Sequence, residues 1–117
     1  MKKMTKIVSL LLALVMGACA LASCGSTDWA YIEEKGSLTM GITLFEPMNY
    51  YDDAGKLIGF ETEFAEAVCA KLGVDPVFQV IDWEQKENEL KSRTIDVIWN
   101  GLTVTEERKE NMAFSTA

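Results

Sequence analysis

Ile95-Asp96-Val97-Ile98-Trp99-Asn100-Gly101-Leu102-Thr103-Val104-Thr105-Glu106-Glu107-Arg108-Lys109-Glu110-Asn111-Met112-Ala113-Phe114 is the stretch that decides how the chain is read. Ile95–Trp99 reads as a strand, and Asn100-Gly101 as a small-residue turn at its end. Thr105 is a natural N-cap, with Glu106 and Glu107 in the favourable first turn of a short helix. Met112–Phe114 reads as a last extended piece. A strand end, an exposed Thr103 and an Arg108 at a helix start form a cradle that suits a carboxylate. Backbone N–H groups at a helix start favour an anion, and a guanidinium grips one with a two-toothed fork. The same residues also fit a capped helix carrying a solvated charge, so the pattern needs company.

That company lies upstream. Asp28–Gly36 reads as a short helix capped by Asp28 and ended by Gly36. Leu38–Thr43 reads as a strand, followed by a loop through Phe45-Glu46-Pro47-Met48. Asp52-Asp53-Ala54-Gly55-Lys56 reads as a tight hairpin turn. Phe60, Phe64, Ala67, Val68 and Leu72 fall on one helical face at spacings of three and four, and Gly73 ends that helix. Val77–Ile81 reads as a strand entered through Asp75-Pro76. Asp82 then caps a helix from Trp83 to Lys91, with Leu90 turned inward. Strands alternating with helices predict an α/β fold with a mostly parallel sheet. In such sheets ligands bind beyond the C-terminal strand ends. That rule places Phe45, Trp83 and the Asn100–Arg108 segment on one rim.

Before the folded part stands an export signal. Lys2, Lys3 and Lys6 precede an apolar run from Ile7 to Met16, too short for a spanning helix of about 20 residues. Leu21-Ala22-Ser23-Cys24 is similar to the lipobox of bacterial lipoproteins, in which the peptide is cut before a Cys that carries lipid. Residues 1–23 are therefore read as the signal, 24–36 as a lipid-anchored linker and short helix, and 37–117 as the binding domain. An ordinary cleaved signal is the other reading.

The whole chain has 117 residues and a net charge of −7. Removing residues 1–23 takes away three Lys and no acid, so the remainder stands at −10. That balance argues against nucleic acid, whose phosphates need a basic face. There is no His, which excludes Ser-His, Cys-His and His-metal chemistry. Cys69 sits in a helical pattern and reads as buried filler. The sequence shows no metal-ligand spacing and no phosphate-binding glycine loop, so neither metal nor cofactor is expected.

With these residues in view, the chain resembles the amino-acid-binding proteins of bacterial ABC importers, the family-3 solute-binding proteins. Four collinear motifs carry the resemblance: Gly41–Met48, Asp52–Ala65, Asp82-Trp83 with Leu90, and Ile95–Arg108. The resemblance implies a two-lobed periplasmic-binding-protein fold, of which this chain holds part of lobe 1 and not the second lobe. By position, Arg108 pairs with the ligand α-carboxylate, joined by the Thr103 N–H. The Thr103 hydroxyl and the Gly101 carbonyl face the α-ammonium, with Leu102 between them. Phe45 and Trp83 sandwich the side chain, and Asn100 and Glu46 tune specificity.

The resemblance also implies partners and place. The ligand is a free L-amino acid with a polar or charged side chain. A permease and an ATPase complete the importer, and the N-terminal lipid holds the protein at the extracytoplasmic membrane face. The protein is not expected to be an enzyme. The alternatives are a periplasmic enzyme on the same fold, similar to cyclohexadienyl dehydratases, or the sensory input module of a receptor. Lacking half of the contacts, the chain alone is expected to show no binding, and to leave sheet edge and apolar surface uncovered.

Overall fold

The computed structural model describes residues 27–116; the stretch read as an export signal and Cys24 lie outside the described residues. The first element is α1, Asp28–Lys35. Its cap is Thr27, whose Oγ1 accepts from Ala30 N at 3.2 Å, one residue earlier than expected. Asp28 falls instead in the first turn, where its charge suits the helix dipole. Gly36, at φ 76, ends the helix, as a left-handed C-terminal glycine does.

The strand β1, Ser37–Ile42, is central. It pairs in parallel with β4, Asp75–Val80, from Ser37↔Asp75 to Ile42↔Val80. On its other side it pairs in parallel with β5, Val97–Ile98, at Met40↔Val97 and Gly41↔Ile98. The order β4-β1-β5 is a small parallel sheet, as the alternation of elements implied. Leu38, Met40 and Ile42 of β1 are buried and form the core with Ile32, Ala65, Cys69 and Val74. A hairpin of β2, Tyr50–Tyr51, and β3, Leu57–Ile58, stands apart from this sheet. Asp52 Oδ1 closes its turn by accepting from Ala54 N at 2.9 Å and Lys56 N at 2.8 Å.

The helix α2, Phe60–Leu72, has the expected length but a different buried face. Thr62, Ala65 and Cys69 point into the core, while Phe60 is 67% exposed and Phe64 54%. The buried face is rotated by roughly a third of a turn from the apolar stripe. Small side chains let the helix axis sit close to the sheet. The large rings are left on its flank, where Phe60 and Phe64 stack at 6.3 Å and Phe64 meets Trp99 at 5.7 Å. Cys69 is fully buried, and burial pushes its thiol up from its ordinary value, which fits a packing role.

Two further expectations need correction. The single helix from Trp83 to Lys91 is a 3-10 turn, Trp83–Gln85, followed by α3, Lys86–Lys91. Leu90 is only half-buried on it. Residues 112–114 form no strand.

β5 is shorter than the apolar run Ile95–Trp99 because a side chain takes over the start of the ladder. Asp96 N donates to Thr39 O at 2.8 Å, and Asp96 Oδ2 accepts from Thr39 N at 2.8 Å. Lys35, at the end of α1, covers the same carboxylate oxygen at 2.5 Å, and the Asp96 side chain is 3% exposed. Asp96→Ala would leave the Thr39 N–H without its acceptor. Orphaning a buried donor costs about 1–3 kcal/mol, so the urea midpoint should fall accordingly; an unchanged midpoint would mean that this carboxylate does not anchor β5.

Candidate functional site

Because all three sheet strands run the same way, their C-terminal ends share one rim. Backbone bonds lock the exits together: Ile81 N donates to Ile42 O at 3.0 Å, and Trp99 N to Gly41 O at 2.9 Å. The segments leaving β1, β4 and β5 therefore carry Phe45, Trp83 and Asn100 out at the same edge, as the topology predicted.

The loop after β1 is tightly built. Phe45 and Asn49 form a backbone bridge, with Phe45 N to Asn49 O at 2.8 Å and Asn49 N to Phe45 O at 2.9 Å. The Asn49 side chain is buried, accepting from Thr62 Oγ1 at 2.9 Å and donating to Glu61 Oε2 at 3.0 Å. The loop is thus pinned to α2, while the Phe45 ring stands 67% exposed. An exposed ring on a pinned loop is a ready contact surface. Glu46, next to it, is exposed.

Trp83 follows Asp82, whose Oδ1 accepts from Glu84 N at 3.0 Å and starts the 3-10 turn. The ring is half-buried. Lys86 lies beside it, with Nζ 4.8 Å from the ring centroid and 3.1 Å from Trp83 O. Sequence reasoning missed Lys86, since a Lys in a charged helical run reads as solvated.

Asn100 donates through Nδ2 to Thr43 Oγ1 and accepts from Gly101 N at 2.8 Å through Oδ1. It therefore joins the exits of β1 and β5. Thr43 was read only as the last residue of a strand; its hydroxyl gave no separate signal. From Gly101 to Thr105 the chain is irregular, with Gly101 and Thr103 exposed and Leu102 half-buried. Thr105 Oγ1 accepts from Arg108 N at 3.2 Å, the expected N-cap of α4, Glu106–Lys109. Arg108 folds back, and its Nη1 donates to Thr103 O at 2.7 Å.

The structure thus brings Asn100 to Thr43 and Arg108 to Thr103. Among the described residues no hydrogen bond, ring contact or ion pair joins Phe45 or Trp83 to the Gly101–Arg108 segment. α4 has only four residues, so its dipole adds little, and anion affinity must come from the guanidinium and individual N–H groups. A separate cavity of about 220 Å³, lined by Tyr31, Arg93 and Asp96 among others, shares no residue with this site and lies where β5 begins.

The rim of this parallel α/β lobe thus carries two aromatic side chains, with Arg108 on the one-turn helix α4 beyond the β5 exit. Residues 38–117 match the model of the bacterial extracellular solute-binding proteins, family 3, and the chain belongs to that family. Escherichia coli (strain K12) L-cystine-binding protein TcyJ is 37% identical over 86 residues, covering 73% of this chain and 32% of the relative. A Streptococcus pneumoniae ABC uptake transporter substrate-binding protein, solved with bound histidine, is 42% identical, with a TM-score of 0.69 over 75% of this chain and 36% of that one. The arginine-bound form of domain 1 from TmArgBP is 33% identical, with a TM-score of 0.67 over 74% of this chain and 69% of that one. The chain spans under half the length of the curated relatives it matches.

Proposed function

We propose that this chain carries the amino-acid-gripping lobe of the binding component of an ABC importer. The observation that carries the reading is the shared rim, where Asn100 ties β5 to Thr43 of the β1 exit and Arg108 is held by Thr103. On this reading Arg108 takes the α-carboxylate with the Thr103 N–H. The Thr103 hydroxyl and the Gly101 carbonyl take the α-ammonium, and Leu102 lines the segment between them. Phe45 and Trp83 hold the side chain, with Asn100 and Glu46 close by. The permease and the ATPase are its partners.

The related proteins named above bind cystine, histidine and arginine. The TmArgBP relative is a first domain with arginine bound. That precedent sets the expectation for this chain at weak binding, above the absence anticipated from half of the contacts. Calorimetric titration of the chain with the twenty protein amino acids and L-cystine tests it. A free L-amino acid should bind, and α-keto acids of matching side chain should not; no heat with any of them would end the proposal.

The second part of the proposal concerns place. Among the described residues no helix is long and apolar enough to cross a membrane, and a lipid on Cys24 would hold the protein at the extracytoplasmic face. Two or more acyl chains give stable anchoring where one is marginal. Cys24→Ser should release the protein from membranes and abolish fatty-acid labelling. Labelling that survives the substitution would rule the anchor out.

A further inference from the structure

Lys86 is buried, at 9% exposure, a place lysines rarely occupy without a charge partner. Its ammonium lies 4.8 Å from the Trp83 ring centroid and donates to Trp83 O at 3.1 Å. Among the described residues no carboxylate lies within ion-pair distance of it. Tyr31 offers a contrast inside the same molecule. Its ring is approached by Lys35 at 5.1 Å and Arg93 at 4.6 Å, and each of those cations has a carboxylate, Asp96 for Lys35 and Asp28 for Arg93. Two cations on one ring are thus tolerated here where acids neutralise them. At Trp83 nothing described does so.

The buried Lys86 stands over one face of the indole, and the ring as a whole is only half-buried. A cation over one face of an aromatic ring uses the ring's negative quadrupole, and the remaining surface is then a poorer seat for a second cation. We infer that Lys86 sets the charge class of the ligand, so that Trp83 accepts an amino-acid side chain without positive charge and rejects a guanidinium or ammonium. This rests on the reading of Trp83 as a ligand-facing ring. A ligand cation on the other face would stand about 9 Å from the Lys86 ammonium, given the usual cation–ring separation. At the effective dielectric of a partly buried site, such like charges repel enough for about a tenfold loss of affinity. Neutral polar, sulfur-containing or acidic side chains escape that penalty. Of the polar or charged side chains that the family resemblance implies, the cationic ones drop out.

The test compares affinities within one protein. The chain is titrated calorimetrically with L-arginine and L-lysine and with the uncharged and acidic amino acids. The best non-cationic ligand should bind at least tenfold tighter than either cation. Lys86→Met, which keeps the apolar stem, should shrink that ratio about tenfold, and Lys86→Arg, which keeps the charge, should leave it within threefold. A loss of packing alone would weaken all ligands together and leave the ratio unmoved. Preference of the unsubstituted chain for arginine or lysine would overturn the inference while leaving the amino-acid site standing. So would a ratio unchanged in Lys86→Met. No binding of any amino acid would overturn both. The ratio in the unsubstituted chain decides the matter even where a variant fails to fold.

Discussion

Arg108→Ala is expected to abolish measurable amino-acid binding while leaving the fold intact. The guanidinium has five N–H donors in a fixed fork. One nitrogen, Nη1, is engaged with Thr103 O at 2.7 Å. That bond aims the group along the loop that also supplies the Thr103 N–H, and leaves other donors for a two-oxygen acceptor. Removing one partner of a buried charge pair costs about 3–5 kcal/mol, or roughly two to four decades of affinity. Arg108→Lys should lose most of the same affinity, because a point charge cannot reproduce the planar fork. Stability should barely move. The residue sits on an exposed single-turn helix, and surface substitutions usually change stability by about 0.5 kcal/mol or less. Calorimetry beside a urea melt separates the two effects. Affinity within threefold of the unsubstituted chain would remove Arg108 from the site, and a large drop in the melt would make its role structural.

Parallel topology was legible because helix and strand signals alternate along the chain, and a parallel sheet needs no further information to align its C-terminal ends. The caps were legible to within a residue: Thr105, Gly36 and Asp82 do what their types predict, and Thr27 replaces Asp28 by a shift of one. The buried face of α2 was not legible. Apolar periodicity weights large side chains, whereas close packing on a sheet favours small ones, and Thr62, Ala65 and Cys69 won that competition. β5 was overestimated since sequence cannot show a carboxylate standing in for a ladder acceptor, as Asp96 does for Thr39. The shared edge that carries Phe45, Trp83 and Asn100 was readable from topology. Thr43 and Lys86 were not, because each acts through a contact 57 residues away or on a neighbouring ring. Lone hydroxyls and lysines in charged runs carry no such address.

Gly59→Ala should be the most damaging substitution in the folded part, and the reason ties the fold to the Phe45 loop. α2 has no side-chain cap. Its first N–H groups are satisfied by the loop instead, with Phe60 N donating to Pro47 O and Glu61 N to Met48 O, each at 3.0 Å. Those carbonyls occupy the space a side chain at residue 59 would need: a Cβ there would lie 2.2 Å from Met48 O and 2.9 Å from Pro47 O. The backbone at φ 127, ψ 171 is also in a region essentially reserved for glycine, which costs other residues about 1–3 kcal/mol. Overpacking against backbone that cannot swing away adds about 1–3 kcal/mol. Together these come to about 2–6 kcal/mol, a large part of the stability of a small domain whose total lies near the low end of about 5–13 kcal/mol at this length. Gly55→Ala is the control. Its φ of 78 is also positive, but nothing lies within 4 Å of the added Cβ, so the cost should be about 1–2 kcal/mol of backbone strain alone. A urea melt of both variants measures the difference. Equal losses would show that the Pro47 and Met48 carbonyls yield freely, and the loop would then not be fixed by its bonds to α2. If Gly59→Ala still folds, the displaced loop should carry Phe45 with it, and amino-acid affinity should fall where Gly55→Ala leaves it unchanged.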